Sequence, residues 1–243
     1  MLPLDNLTVL TLAQRAVTVA LAGGILGLDN IAVGQFMLAQ PVVGAVLTGF
    51  LVGEPLLGVW AALTFQLLWV GELPVGAYVP PNAAITAVAA VGLAVPSEAP
   101  FESRAVLAAA LAIPVGIAAG RLDTWIKARN VDVLKRAEEG LLSEKSNFLR
   151  AAILPALARW FLKDFFLLAL TVFAGCVILD AVLPAIPARW HQGMALAYAV
   201  LPAVGAASAI RAFASKKNWP VLITGAGLAA AAILVLMWTG RRA

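Results

Sequence analysis

Charged residues are scarce in this sequence. Of its 243 residues only 12% are charged, 62% are hydrophobic, and the mean hydropathy is +0.94. Soluble globular chains carry about 25% charged and roughly 45–50% apolar residues. The scarcity excludes a soluble enzyme, whose interior has too little room for so much apolar surface. It also excludes a disordered chain, which is polar or highly charged.

Cysteine and histidine are nearly absent, with one residue of each. A single cysteine excludes an internal disulfide and a cysteine metal cluster, so we predict Cys176 to be a small buried hydrophobe. His191 lies in a short polar link at 187–191 and is predicted to be an interfacial loop residue. The sequence has no Walker loop, dinucleotide fingerprint or Ser/His/Asp set. We therefore predict no catalytic residue, no metal and no cofactor.

Long Ala/Leu/Val/Gly runs are what the sequence has in abundance. Because they lack strand-like alternation, they predict an all-α integral membrane protein with several spans. Spans are expected at residues 7–28, 105–119, 165–183, 194–210 and 221–238. Six acids and one base lie in residues 1–103, whereas the other sixteen bases follow. We predict one membrane domain over 1–243, with a distinct core-like region at 1–104 and the later spans at 105–243.

The N-terminal third contains apolar segments that are broken or short. Residues 31–52 carry Pro41 in the middle, and 56–70 are too few to cross a hydrocarbon core of about 30 Å. A Gly- and Pro-rich stretch at 71–82 follows, and helix resumes at 83–95. This pattern predicts re-entrant or discontinuous helical hairpins. The alternative is two ordinary spans joined by an external loop.

Residues 121–150 differ in character from the rest, with seven bases and five acids. Apolar residues recur there at helical spacing, which predicts an amphipathic helix on the cytoplasmic face. The alternative is a solvated loop. The positive-inside rule then places 96–104 outside and Lys216-Lys217 inside. It leaves the C-terminal Arg241-Arg242 outside, unless one segment between 150 and 183 does not cross.

Residues 28–90 contain a series of spaced motifs. They are Gln35-Phe36, Gln40-Pro-Val-Val, a small-residue run ending in Gly53-Glu54, the stretch from Gly58 through Leu-Thr-Phe-Gln-Leu-Leu-Trp-Val-Gly at 63–71, and Pro-Val-Gly-Ala-Tyr-Val-Pro-Pro-Asn-Ala at 74–83. Together they resemble the membrane subunit IIC of the mannose/fructose/sorbose family of sugar phosphotransferase systems. Four positions depart from the family pattern: Glu54 stands for Asp, Ala62-Leu63 for Gly-Gly, and Gln66 occupies a position that is acidic in some relatives.

The resemblance implies a permease subunit of a phosphoenolpyruvate-dependent system in a bacterial inner membrane. Such a chain translocates a hexose or amino sugar while its partners phosphorylate it. The implied partners are a IID membrane chain, soluble IIA and IIB phosphocarriers, membrane lipid and further IIC–IID units, without nucleic acid. The IIC chain itself needs no phosphorylation site, in keeping with the lone His191.

A sugar is bound by amides and carboxylates inside an otherwise apolar pocket. Polar side chains within membrane segments are costly and are functional candidates by default. The candidates in the N-terminal region are Gln14, Arg15, Asp29, Gln35, Gln40, Gln66, Glu72 and Asn82. From these we predict four substrate-binding residues: Gln66, Asn82, Gln35 and Asp29. Gln35 ranks above Gln40 only through the family resemblance.

Each of these residues also has a structural interpretation. Gln66 suits an interhelical hydrogen bond, and Asn82 suits the N-cap of the helix at 83–95. Asp29 with Asn30 suits a cap of the next helix, and Glu72 suits a helix boundary. The tryptophans near the ends of the runs are expected to be interfacial anchors: Trp60, Trp69, Trp190, Trp219 and Trp238.

Two further functions remain open. The departures at Ala62-Leu63 and Gln66 allow a transport-inactive scaffold or regulatory subunit that descends from the family. An ion-coupled carrier that relays protons through Asp29 and Glu72 ranks third, because no full set of paired intramembrane charges supports it. The small residues between Gly44 and Ala62 predict close helix packing and dependence on a partner chain.

Overall fold

The chain folds entirely as helices in the part that the structure describes. A computed structural model of the chain describes residues 6–31, 33–72, 78–94, 97–142, 148–213, 219–221 and 223–225. The helices in this part are α1 (Asn6–Ile31), α2 (Pro41–Leu51), α3 (Pro55–Trp69), α4 (Ala83–Leu93), α5 (Phe101–Leu142), α6 (Phe148–Val182) and α7 (Ala188–Phe213). The prediction of an all-α protein is confirmed.

Four segments of the described chain are long and apolar enough to cross a membrane. They are Val9–Asn30, Phe101–Val133, Ile153–Ala185 and Ala188–Ala212. The expected spans at 7–28, 105–119, 165–183 and 194–210 fall within or close to these segments. Most of 221–238 lies outside the described residues, and so does the expected crossing there.

The two longest helices are more continuous than the sequence predicted. α5 runs unbroken for 42 residues, so the residues predicted to form a helix at 121–150 are helical as far as residue 142 and continue the preceding span. Residues 121–142 extend the span, since no proline interrupts them, and residue 148 already belongs to α6. α6 runs for 35 residues with Pro155 inside it. Residues 151–182 therefore lie in one helix, which is long and apolar enough for one crossing.

The N-terminal third contains three helices that are too short to span. α2, α3 and α4 have 11, 15 and 11 residues, and at 1.5 Å per residue each falls short of a hydrocarbon core of about 30 Å. The predicted discontinuous helices are confirmed. The run predicted at 31–52 becomes helical only at Pro41, because the preceding residues form an irregular loop at 33–40.

α2 and α3 form a tight antiparallel hairpin. Gly53 in the turn between them has a φ of 77°, in the left-handed region that glycine tolerates. A Cβ added to Gly49 would lie 2.9 Å from the Gly58 Cα, so the two backbones are in direct contact. The small residues of this region thus serve packing within the chain, whereas the sequence suggested packing against a partner.

α4 lies at the centre of the molecule. Ten consecutive residues, Ala84 to Leu93, are buried, because α4 contacts α1, α2, α3, α5 and α6. Cys176 of α6 is also buried, as predicted, and its thiol faces the Gly92 carbonyl at 3.5 Å. Long helices thus surround a short apolar one.

Two expectations about isolated side chains are wrong. Trp60 is not an interfacial anchor, since it is 6% exposed, stacks on Tyr198 and donates from Nε1 to the Tyr198 carbonyl. His191 is not in a loop. It lies in the first turn of α7, and its Nδ1 is 2.7 Å from the Ser103 Oγ. Both residues join α7 to the helices beside it.

Candidate functional site

A polar cavity of about 480 Å³ opens where the start of α2, the start of α4 and the second half of α5 meet. This volume is in the range of small-molecule sites. Its lining is Asn30, Ala39, Gln40, Pro41, Tyr78, Val79, Pro80, Pro81, Asn82, Ala83, Ala84, Gly120, Asp123, Thr124 and Lys127. The cavity combines amide, carboxylate, hydroxyl and ammonium groups, which suit a ligand rich in hydroxyls.

Asn82 has two roles at this cavity. Its Oδ1 accepts from the Ile85 N–H at 3.1 Å, so Asn82 is the N-cap of α4, as its structural interpretation predicted. Its Nδ2 donates to the Asp123 Oδ2 at 3.0 Å. The backbone before it is Pro80-Pro81, which has no N–H to donate. Asn82 thus fixes the start of α4 and presents a polar group to the cavity.

Gln66 reaches the cavity only through Gln40. The Gln66 Nε2 donates to the Gln40 Oε1 at 3.3 Å, and the Gln66 Oε1 accepts from the Val42 N–H at 3.3 Å. Gln40 itself lines the cavity. The interhelical hydrogen bond foreseen for Gln66 is therefore present, and it joins the end of α3 to the start of α2.

Asp29 and Gln35 belong to the irregular loop rather than to the cavity lining. Asp29 is 7% exposed, and its two oxygens accept from the Phe36 and Ala39 N–H groups at 2.8 and 3.2 Å. It holds the loop before α2, not the helix itself. Gln35 has a φ of 53°, an unusual conformation for a residue with a side chain.

The α5 side of the cavity was not foreseen from the sequence. Gly120, Asp123, Thr124 and Lys127 follow a spacing of three, four and seven residues, which places them on one helical face. That face touches the Pro80-Pro81 turn closely, since a Cβ on Gly120 would lie 2.5 Å from the Pro80 carbonyl oxygen. The spacing was visible in the sequence, but the residues were assigned to a cytoplasmic surface helix.

Tyr78 adds a phenol at the edge of the cavity and is half exposed. A hydrogen bond to Glu72 raises the pKa of Tyr78 above its ordinary value. The phenol donates its one proton to Glu72, so its oxygen can accept a hydrogen bond from a ligand hydroxyl.

Behind the cavity lies a buried charge cluster on α6. Lys163 pairs with Asp123, which also holds Asn82, and its Nζ is 2.8 Å from the Asp164 Oδ1. Asp164 is fully buried, and its Oδ2 would lie 2.1 Å from a Cβ on Gly27 of α1. Among the described residues no hydrogen-bond donor meets Asp164 Oδ2. The sequence search missed this cluster because it was confined to residues 1–103.

Two further charges hold the other broken ends of the short helices. Arg15 donates to the carbonyls of Val91, Gly92 and Ala94 at 2.8, 2.8 and 3.0 Å, and so caps the C-terminus of α4. Arg104 pairs with Glu54 in the α2–α3 turn at 3.2 Å. Arg15 was a candidate ligand because of its position in a membrane segment, but its guanidinium donates to backbone carbonyls instead.

Broken short helices packed around a polar cavity, inside a bundle of long apolar helices, are typical of membrane transport proteins. The family model for the sorbose-specific IIC component of the phosphotransferase system matches residues 13–240. The chain therefore belongs to this family, which confirms the resemblance seen in the sequence.

A comparison with one solved structure agrees with a membrane-protein fold. The chain is similar to a structure described only as a membrane protein, with 20% identity, a TM-score of 0.69, and coverage of 93% of this chain and 92% of the other. It also matches a cryo-EM structure of the mannose transporter ManYZ with microcin E492, with 22% identity, a TM-score of 0.46 and coverage of 89% and 86%. No curated protein sequence matches.

Proposed function

We propose that this chain is the IIC permease subunit of a phosphotransferase system in a bacterial inner membrane, which translocates a hexose or amino sugar. The observation that carries the proposal is the polar cavity at the ends of α2 and α4 in a chain of this family. The cavity groups are mostly uncharged or already paired, so they favour a neutral polyol over an ion.

In this proposal the sugar-binding residues are the predicted Gln66, Asn82, Gln35 and Asp29. They contribute to the site in different ways, some directly and some through a neighbouring residue. Asn82 lines the cavity directly. Gln66 acts with Gln40, whose side chain it holds. Asp29 acts by holding the loop that carries Ala39 and Gln40 into the lining. Gln35 belongs to that same loop, at a strained position that a bound ligand would help to maintain.

The proposed partners are a IID membrane chain and soluble IIA and IIB phosphocarriers, with IIC–IID units forming a larger oligomer. The sugar would receive its phosphoryl group from the IIB chain at the cytoplasmic end of the cavity. α7 supports a partner beside it, because only 6% of its span segment is buried. Co-expression with a IID-type chain should improve recovery in detergent, and a stable, monodisperse chain on its own would contradict dependence on that partner.

The test of sugar binding is uptake-coupled phosphorylation in membranes that contain all four components. Gln66→Leu removes the amide at similar volume, and Asn82→Ser keeps an N-cap while removing the amide donor. Each should weaken apparent affinity about 5- to 150-fold, as expected for a lost hydrogen bond of about 1–3 kcal/mol in a desolvated site. Gln14→Leu is the matched control, because Gln14 is an exposed amide away from this cavity.

The outcomes separate the candidate functions. Normal affinity and rate in both variants would refute the ligand assignment. Absence of activity with every hexose and amino sugar in the unmutated complex would favour the scaffold function, which the departures at Ala62-Leu63 and Gln66 left open.

The proposed orientation places the C-terminal part of residues 121–142, beyond the span segment Phe101–Val133, in the cytoplasm. α5 supports it, since 42 residues extend about 63 Å and exceed the hydrocarbon core by about 30 Å. In a Cys176→Ala background, Glu98→Cys should react with an impermeant reagent outside intact cells, while Lys135→Cys should react only after lysis. The opposite pattern would reverse the orientation.

A further inference from the structure

A second cavity lies between α5 and α6, away from the polar one, and has a volume of about 660 Å³. One wall is apolar, and most of its residues are at least partly exposed. Its members are Leu122, Trp125, Ile126, Leu162, Phe166 and Leu170. Phe166 is 62% and Leu170 71% exposed, so the wall is open to the surroundings of the protein.

The other end of the cavity carries positive charge. Arg129, Arg159 and Lys163 line it, together with one acid, Asp132. Lys163 is already paired with two carboxylates. Arg129 and Arg159 have no carboxylate partner among the described residues, and Asp132 of the lining pairs with neither of them.

Both arginines are held in place by neighbours that leave their charge uncompensated. The Arg129 guanidinium lies over the Trp125 ring, 5.1 Å from its centroid. The Arg159 Nη1 donates to the Asn130 Oδ1 at 3.1 Å. A guanidinium that is fixed and lacks a counter-ion is suited to two parallel hydrogen bonds with a phosphate.

We propose that this cavity binds one anionic phospholipid of the surrounding membrane. Its headgroup phosphate lies between Arg129 and Arg159, and an acyl chain lies along Phe166 and Leu170. Both the charge and the apolar wall are needed to account for the site. A soluble anion would leave the apolar wall uncovered, and a zwitterionic lipid would bring its own cation to two arginines that have no carboxylate partner among the described residues. Basic pockets between membrane helices near an interface bind anionic headgroups in this way.

The test is native mass spectrometry of the full chain in a neutral detergent, titrated with dioleoyl phosphatidylglycerol or dioleoyl phosphatidylcholine. Both lipids carry the phosphate, but the choline cation of phosphatidylcholine is repelled by the two arginines, so one phosphatidylglycerol should bind about tenfold more tightly than phosphatidylcholine. Equal affinity of the two lipids would overturn the proposal without any variant.

Variants locate the binding. The double variant Arg129→Gln/Arg159→Gln should abolish the preference for phosphatidylglycerol, and Arg129→Lys/Arg159→Lys should retain part of it. Arg121→Gln/Lys135→Gln removes the same charge from exposed positions of α5 outside the cavity lining and should leave the preference unchanged. An equal loss in this control would indicate general surface attraction and would overturn the site.

The apolar wall has its own control. Leu170→Ser should weaken phosphatidylglycerol binding, while Leu196→Ser, on α7 and equally exposed at 71%, should not. Displacement of the lipid by millimolar inorganic phosphate would indicate a soluble-anion site instead. Loss of lipid binding on co-purification with a IID-type chain would indicate that a protein covers the groove. Either result would refute phospholipid binding in this cavity, and neither result tests the proposed role in sugar phosphorylation.

Discussion

The short helices α2–α4 and the long helices α1 and α5 use polar side chains in different ways. The short helices present amides, Gln40, Gln66 and Asn82, around one cavity. The long helices supply four charges that meet the broken ends of the short helices. Asp29 holds the loop before α2, Arg104 the α2–α3 turn, Asp123 the start of α4 and Arg15 its end.

This difference shows where an interrupted helix obtains its stability inside a membrane. Backbone groups at a broken end have no water to bind, so the protein must supply their partners. Uncharged amides lie around the cavity where a ligand is expected to bind. Charged side chains bind the loops, turns and helix ends whose backbone needs a partner. The comparison predicts that loss of an anchor reduces stability, whereas loss of a cavity amide affects ligand binding more.

The largest effect is expected at Lys163. Lys163→Met leaves Asp123 and the buried Asp164 without their cation, and loss of one partner of a buried ion pair costs about 3–5 kcal/mol. Thermal stability of the detergent-purified chain should fall sharply. Adding Asp164→Asn should recover part of the loss. If the double variant is no more stable than the single one, Asp164 is not the group that Lys163 neutralises.

Arg15 should have the next largest effect. Arg15→Leu leaves three carbonyls at the end of α4 without their donor, at a cost of about 3 kcal/mol if each bond contributes about 1 kcal/mol. Arg15→Lys should be intermediate, since an ammonium retains the charge but not the forked geometry. The melting temperature measures this, with Arg121→Leu as an exposed control. Equal melting temperatures of the two Leu variants would show that Arg15 does not stabilise the end of α4.

Backbone contact in the α2–α3 hairpin should give a smaller effect. Gly49→Ala places a methyl group 2.9 Å from backbone atoms of Glu54 and Gly58, and overpacking of this kind costs about 1–3 kcal/mol. Gly193→Ala in α7 meets nothing within 4 Å, and it should stabilise the helix by about 0.5–1 kcal/mol. Opposite shifts in melting temperature are therefore expected. Shifts of the same sign would contradict the close packing.

The smallest effect is expected for the Arg104–Glu54 pair, whose side chains are 12% and 17% exposed. A double-mutant cycle with Arg104→Gln and Glu54→Gln should give a coupling energy of about 1 kcal/mol, because the pair is only partly screened by solvent. Measured unfolding of all four proteins in detergent supplies the cycle. A coupling energy of zero would show that the ion pair does not stabilise the α2–α3 turn.

The helical membrane fold and the interrupted N-terminal third were predictable because both follow from local sequence. Length, hydropathy and Gly/Pro placement decided them, and the helix starts at Pro41 and Pro55 carry a recognisable signal. The site was predictable only in part. Asn82 and Gln66 were chosen as polar residues at membrane depth, and both lie at or next to the cavity.

What the sequence did not disclose depends on which helices meet. The bonds of Asp123 span 41 residues to Asn82 and 40 to Lys163, and no local pattern encodes such distances. The role of Arg15 likewise depends on carbonyls more than 75 residues away. The continuity of α5 past residue 120 was misjudged because a rise in charge was equated with an end of the span.

The anchoring of α4 at both ends has a consequence for the order of synthesis. α1, which holds its C-terminal end, is made before it, but Asp123 is made 41 residues after Asn82. The ion-pair partner of Asp123 is Lys163, which is synthesised a further 40 residues later. α4 is too short to enter the bilayer as a span of its own. The contacts that fix both ends of α4 are therefore complete only after the first half of α6 has left the ribosome.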